Sequence, residues 1–205
     1  MKIKKSITIS LGIILNLNTL FAVDTKITKE LTSIIAKDKG NKIIIKRVQE
    51  PNSKLSSSFN KIKKECPPYC IQPMNIENVK TLGELEVLNF IKNMKNSSGS
   101  LLIDARTRKW HKKGTIPTAI NLPFSMLNKK SKYFNKILTL LGGTKIGYNW
   151  NFDNAQTLLI FGNGAWDKQA TTEIKTLINV GYPQDKLLYY RGGMQMWNSL
   201  GLTIK

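Results

Sequence analysis

The stretch Leu158-Leu-Ile-Phe-Gly-Asn-Gly-Ala-Trp-Asp-Lys168 decides the fold. Its four leading apolar residues fit a strand buried on both faces, as strands of a parallel sheet are. Gly162 and Gly164 then permit a tight loop, and Lys168–Val180 has helical spacing closed by Gly181. A strand that passes through a short glycine-containing loop into a helix presents free backbone N–H groups, a ready place for an anion.

The same alternation extends in both directions. Leu101–Ile103 is an apolar run ending in Asp104, Ala119–Leu122 and Leu187–Tyr190 read as further strands, and Tyr133–Leu141 and Met194–Leu200 read as helices. Thr81-Leu-Gly-Glu84 has the form of a capping box at the start of a helix carrying Leu85, Leu88, Phe90, Ile91 and Met94, with Asn96-Ser-Ser-Gly99 as its stop. Strands separated by helices of this length predict an α/β fold of parallel βαβ units, with ligands at the strands' C-terminal ends.

Several blocks carry a family likeness. Leu101-Leu-Ile-Asp-Ala-Arg-Thr-Arg-Lys-Trp110 is followed by Gly114-Thr-Ile-Pro-Thr-Ala-Ile-Asn-Leu-Pro123, then by the glycine loop. Gly181-Tyr182, Leu187-Leu-Tyr-Tyr-Arg-Gly-Gly-Met-Gln-Met-Trp197 and Leu200-Gly-Leu202 complete the series. In this order and spacing, residues 76–205 resemble the rhodanese domain, a single-domain sulfurtransferase fold. The resemblance implies a parallel sheet flanked by helices. It also implies a nucleophilic cysteine, the carrier of persulfide sulfur, directly after the strand that leads into the loop. That position is Gly162 here, so no covalent intermediate can form on it.

Asp167 is a second departure. The loop is similar to that of exported rhodanese-like proteins with a Cys-Asn-Gly-Pro-Trp-Cys pattern: Asn163, Gly164 and Trp166 match and Ala165 replaces proline. Gly162 and Asp167 fall where the two cysteines would be. As a residue just before a helix, Asp167 is expected to act as an N-cap worth roughly 0.5–2 kcal/mol. Its carboxylate would then occupy the N–H groups that otherwise receive an anion. By the same resemblance, Asp104 and Arg106 form an Asp-x-Arg motif that supports the loop. Asn163, Gly164, Ala165, Trp166, Arg106 and Arg191 are the expected binding residues. Thr115 stands where many members have histidine, Gly192-Gly193 fits a tight turn, and Trp197 is expected in the core. His111, the only histidine, is expected to face solvent with no role.

The 205 residues suffice for one domain plus an extension. Residues 1–22 read as a cleaved signal peptide: Met1-Lys-Ile-Lys-Lys5 is basic, Ser6 to Phe21 is mostly apolar, and Ala22 is a small residue at a cleavage position. This predicts a periplasmic or secreted protein, with membrane contact only if the signal stays uncleaved. Residues 23–75 form an N-terminal extension, in which 26–37 fit a short amphipathic helix and Lys42–Val48 a strand. The two cysteines lie in Cys66-Pro-Pro-Tyr-Cys70, where export favours a disulfide. Extended prolines would hold their Cα atoms about 12 Å apart, against the roughly 7 Å a disulfide allows, so a turn at Pro68-Tyr69 is required.

The net charge of +19 comes mostly from lysine and attracts anionic surfaces or acidic partners. It accompanies no base-reading motif, which argues against nucleic acid. The expected function is an inactive rhodanese-like domain that acts by ligand or partner binding, the partner being an envelope protein or a small anionic sulfur species. The alternative is a sulfurtransferase or thiol-redox protein that uses Cys66 and Cys70. No cofactor or metal is expected.

Overall fold

The computed structural model describes residues 25–55, 57–60, 64–94 and 99–205. The segment 1–22 lies outside the described residues, as does most of the Asn96–Gly99 stop. A hairpin of β1 (Ser33–Asp38) and β2 (Asn41–Lys46) precedes the main sheet. That sheet contains β3 (Lys80–Thr81), β4 (Ser100–Asp104), β5 (Ile120–Asn121), β8 (Thr157–Phe161) and β9 (Leu187–Tyr190) in the order β3-β9-β8-β4-β5. Every adjacent pair is parallel. The helices are α1 (Glu84–Asn93), α2 (Arg108–His111), α3 (Phe134–Leu140), α4 (Gln169–Ile178) and α5 (Gly193–Ser199). A second hairpin, β6 (Thr144–Ile146) with β7 (Asn149–Asn151), joins α3 to β8.

Side chains of β8 alternate between two apolar layers, as the pleat requires. Leu158 and Ile160 pack with Ile137 and Leu138 of α3 and Ile174 and Leu177 of α4. Leu159 and Phe161 pack with Val87 and Ile91 of α1 and Met194 and Trp197 of α5. The parallel strands are apolar throughout because helices cover both faces.

The extension differs from its predicted helix. Residues 33–38 form β1, and Ile34, Ala36 and Ile45 are buried against the α1–α5 layer. Lys39 and Gly40 both have positive φ, 49° and 86°, the geometry of a two-residue turn between twisted antiparallel strands. The hairpin is also tied to the C-terminus, through Val48 N–H to the Gly201 carbonyl and a 2.6 Å Lys205–Asp38 ion pair. Only half of the predicted capping box forms, two residues later, because the N-cap is a glycine with no side chain to accept a bond. Thr81 belongs to β3, Gly83 is the N-cap of α1, and Glu86 accepts the Gly83 N–H at 3.1 Å.

Candidate functional site

The loop 162–167 leaves the C-terminal end of β8 and enters α4, with the start of α5 beside it. Gly162 and Asn163 carbonyls accept the N–H groups of Met194 (3.1 Å) and Gln195 (2.8 Å). This close approach requires Gly193: its φ is +54°, and a Cβ there would lie 2.5 Å from the Gly162 oxygen.

Asp167 turns back into the loop. Its Oδ2 accepts hydrogen bonds from the Asn163 backbone N–H and side-chain amide, both at 2.8 Å, and its Oδ1 accepts the Gln169 N–H at 2.9 Å. Helix α4 starts one residue later than expected, so the N-cap position is Lys168 and Asp167 caps from the position before it. Asp167 and Asn163 are both buried. A Cβ on Gly162 would sit 3.1 Å from Asp167 Oδ2. The carboxylate therefore fills the space beside the position that is a cysteine in the resembling family.

Asp104 and Arg106 form a fully buried pair. Arg106 donates from Nε and a terminal nitrogen to the two Asp104 oxygens at 2.8 and 2.7 Å, and also to the Gly114 carbonyl at 2.7 Å. Asp104 Oδ2 further accepts the Thr115 hydroxyl at 2.8 Å and lies 2.8 Å from His111 Nδ1. His111 is thus engaged, not free in solvent: 23% of its side chain is exposed. These bonds brace the 106–115 segment, whereas support for loop 162–167 comes from α5 and Asp167. Arg106 is 1% exposed, so it presents no charge to an incoming anion.

Arg191 is directed to the extension. Its guanidinium donates twice to the Gln72 carbonyl, at 3.1 and 2.8 Å, while Gln72 N–H donates to the Ala165 carbonyl at 2.7 Å. The Gln72 side-chain oxygen accepts the Thr171 hydroxyl at 3.0 Å. Tyr69 packs edge-on against Trp166 with ring centroids 5.5 Å apart. Residues 64–73 thus form a strap across the loop. Within it Cys66 and Cys70 are disulfide-bonded with Cα atoms 4.7 Å apart. A turn is present, as that spacing requires, over Cys66–Tyr69, where Tyr69 N–H donates to the Glu65 carbonyl at 2.9 Å; the Cys66–Pro67 and Pro67–Pro68 bonds are both cis. Cys70 is two residues from Gln72, a span of at most about 7 Å, which puts the disulfide beside the loop.

Three features at the site carried no clear signal in sequence. Tyr189, beneath the loop's neighbours, is pushed up to about 12 by burial, with Arg191 opposing and Asp167 adding to the rise. Glu173 of α4 is completely buried, and neither carboxylate oxygen has a hydrogen-bond partner. Burial first, and the Asp104 charge second, raise its carboxyl well above the ordinary carboxylate range. Asn163 Oδ1 is likewise buried without a partner. Among the described residues no group of three or more histidine, cysteine or acidic side chains is arranged to hold a metal ion, and no helix is long and apolar enough to cross a membrane.

Comparison with known proteins gives one family. No curated protein matches the chain significantly. Among solved structures, a Bacillus halodurans protein superposes with a TM-score of 0.43 at 17% identity, covering 62% of this chain and 75% of its own. A Saccharomyces cerevisiae single-domain sulfurtransferase gives 0.43 at 21% identity, over 62% of this chain and 94% of its own. A human single-domain sulfurtransferase gives 0.39 at 21%, over 60% and 97%. The model of the rhodanese-like domain family matches residues 88–200, more than half the sequence, and the chain belongs to that family.

Proposed function

We propose that this protein is an exported rhodanese-like domain that does not transfer sulfur from its loop and acts by binding. The arrangement of Asp167 carries the reading. A persulfide at the loop needs a thiol at its first position and free N–H groups to hold the sulfur anion. Gly162 supplies no thiol, and the Asn163 and Gln169 N–H groups already donate to Asp167. An added sulfur anion would meet a carboxylate, and like charges at that distance repel strongly in a buried site. Mass spectrometry of a Gly162→Cys, Cys66→Ser, Cys70→Ser variant after incubation with thiosulfate tests this, since attack of the introduced thiolate on the sulfane sulfur, with sulfite leaving, would add one sulfur atom to the loop. The expected spectrum shows no gain of a sulfur atom; a gain mapped to the loop overturns the reading.

A second reading has its own support. The Cys66–Cys70 disulfide lies in the strap that is bonded to Ala165 and packed on Trp166. In that reading, thiol chemistry has moved from the loop to the strap. In the reduced chain a Cys66 or Cys70 thiolate then attacks the outer sulfur of thiosulfate, the thiosulfate S–S bond breaks and sulfite leaves, so the chain gains one sulfur atom; a Cys66→Ser, Cys70→Ser variant does not. An unchanged mass for the reduced chain removes this second reading.

A further inference from the structure

The strap does more than cover the loop. Between it, the end of α2 and the loop lies a cleft of about 660 Å³ lined by Lys64, Tyr69, Trp110, Lys113, Asn163 and Trp166 among others. We propose that this cleft is a binding site for a flat aromatic carboxylate, whose ring lies against the indoles and whose charge is met by Lys64 and Lys113. The inference rests on the binding reading above and names the ligand class for it. It uses residues 64–69 of the extension, which lie outside the part of the chain matched by the family.

The size is that of a small-molecule pocket, typically about 300–1,000 Å³, and is far larger than a tetrahedral sulfur oxyanion needs. Its walls are rich in rings. Tyr69 meets Trp166 edge-on at 5.5 Å, and Phe59 holds Trp110 at a centroid distance of 6.0 Å. Aromatic surfaces of this kind favour another ring in an offset or edge-to-face contact. Lys64 Nζ lies 4.2 Å from the centre of the Trp166 ring, and Lys113 Nζ lies 5.1 Å from that of Trp110. Each ammonium lies over an indole face, Lys64 half-buried and Lys113 exposed.

Neither Lys64 nor Lys113 has a carboxylate within ion-pair distance among the described residues. Glu65 is the one acidic residue lining the cleft. The arginines expected to meet an anion, Arg106 and Arg191, are committed elsewhere, so these two lysines are the cations the site offers. The net charge of +19 favours the approach of an anion from a distance.

Calorimetric titration of the oxidised chain with 4-hydroxybenzoate, and in parallel with its uncharged amide, tests the site. The carboxylate is expected to bind in the millimolar range or tighter and the amide more weakly. Lys64→Gln and Lys113→Gln are each expected to weaken the carboxylate roughly fivefold, the size of a partly exposed ion pair, with little effect on the amide. No heat with the carboxylate, equal affinity for the amide, or full affinity in both variants overturns the proposal. Those results leave the thiosulfate test untouched, and sulfur transfer by the loop would overturn the binding reading without altering this titration.

Discussion

At Asp167, one carboxylate takes three hydrogen bonds and closes a loop that would otherwise be open to an anion. Asp167→Ala leaves the Asn163 and Gln169 N–H groups without that acceptor and is expected to cost about 2–3 kcal/mol, read as a lower urea midpoint. A midpoint unchanged from wild type would show that Asp167 does not hold the loop. Glu173 is the opposite case, a buried carboxyl with no partner. Its folded pKa is raised above the ordinary value of 4.5, so stability is greatest below that value and falls as pH climbs toward the folded one. Glu173→Met is expected to stabilise the chain by about 1 kcal/mol or more at neutral pH and to flatten this fall. Thermal melts of both proteins from pH 4 to pH 8, expected to diverge as pH rises, provide the check. From sequence, Asp167 is recognisable as a helix cap because its type and position suffice. Its bond back to Asn163 is not recognisable, and neither is the burial of Glu173, because both depend on how α4 is set against the sheet.

Among the elements, the strands of the sheet were the most legible. A run such as Leu158–Phe161, apolar on both faces, has few alternatives to a central parallel strand. Most of strand β1 falls within the helix expected over 26–37, because Ile27, Leu31, Ile34 and Ile35 also fit a helical face, whereas β2 overlaps the expected strand Lys42–Val48. The better signal was Lys39-Gly40, a pair able to take positive φ between two β-branched runs. Sequence leaves His111 facing solvent because its partner, Asp104, lies on a different element and meets it only when α2 folds over β4. The same Asp104 neutralises buried Arg106, and Asp104→Ala, which strips that charge of its partner, is expected to cost about 3–5 kcal/mol. A melting temperature close to wild type would contradict the burial of the pair. The strap's position across the loop was equally hidden, since Gln72 and Ala165 are distant in sequence. Its disulfide closes a short loop, so Cys66→Ser, Cys70→Ser is expected to lose roughly 2 kcal/mol. Denaturation under identical conditions measures it, and equal stability of the two proteins would show that the crosslink does not constrain the unfolded chain.

For the molecule as a whole, the family scaffold is intact while the residues around its loop have been given other partners. Sheet order, helix placement and the turn at Gly193 keep the loop in place. Gly162 and Asp167 stand where the resemblance implies cysteines, and in the proposed reading they close the loop to sulfur. The extension, whose hairpin adds to the core and whose strap covers the loop, joins the rest of the chain in one hydrophobic layer with α1 and α5. The most direct test is cyanide-dependent thiocyanate formation from thiosulfate, measured for the wild-type chain and for Gly162→Cys. Both are expected to match the rate without protein: the wild-type loop has no thiol, and in the variant the Asp167 carboxylate still holds the Asn163 and Gln169 N–H groups that a sulfur anion needs. Thiocyanate formed in proportion to wild-type protein would contradict the account.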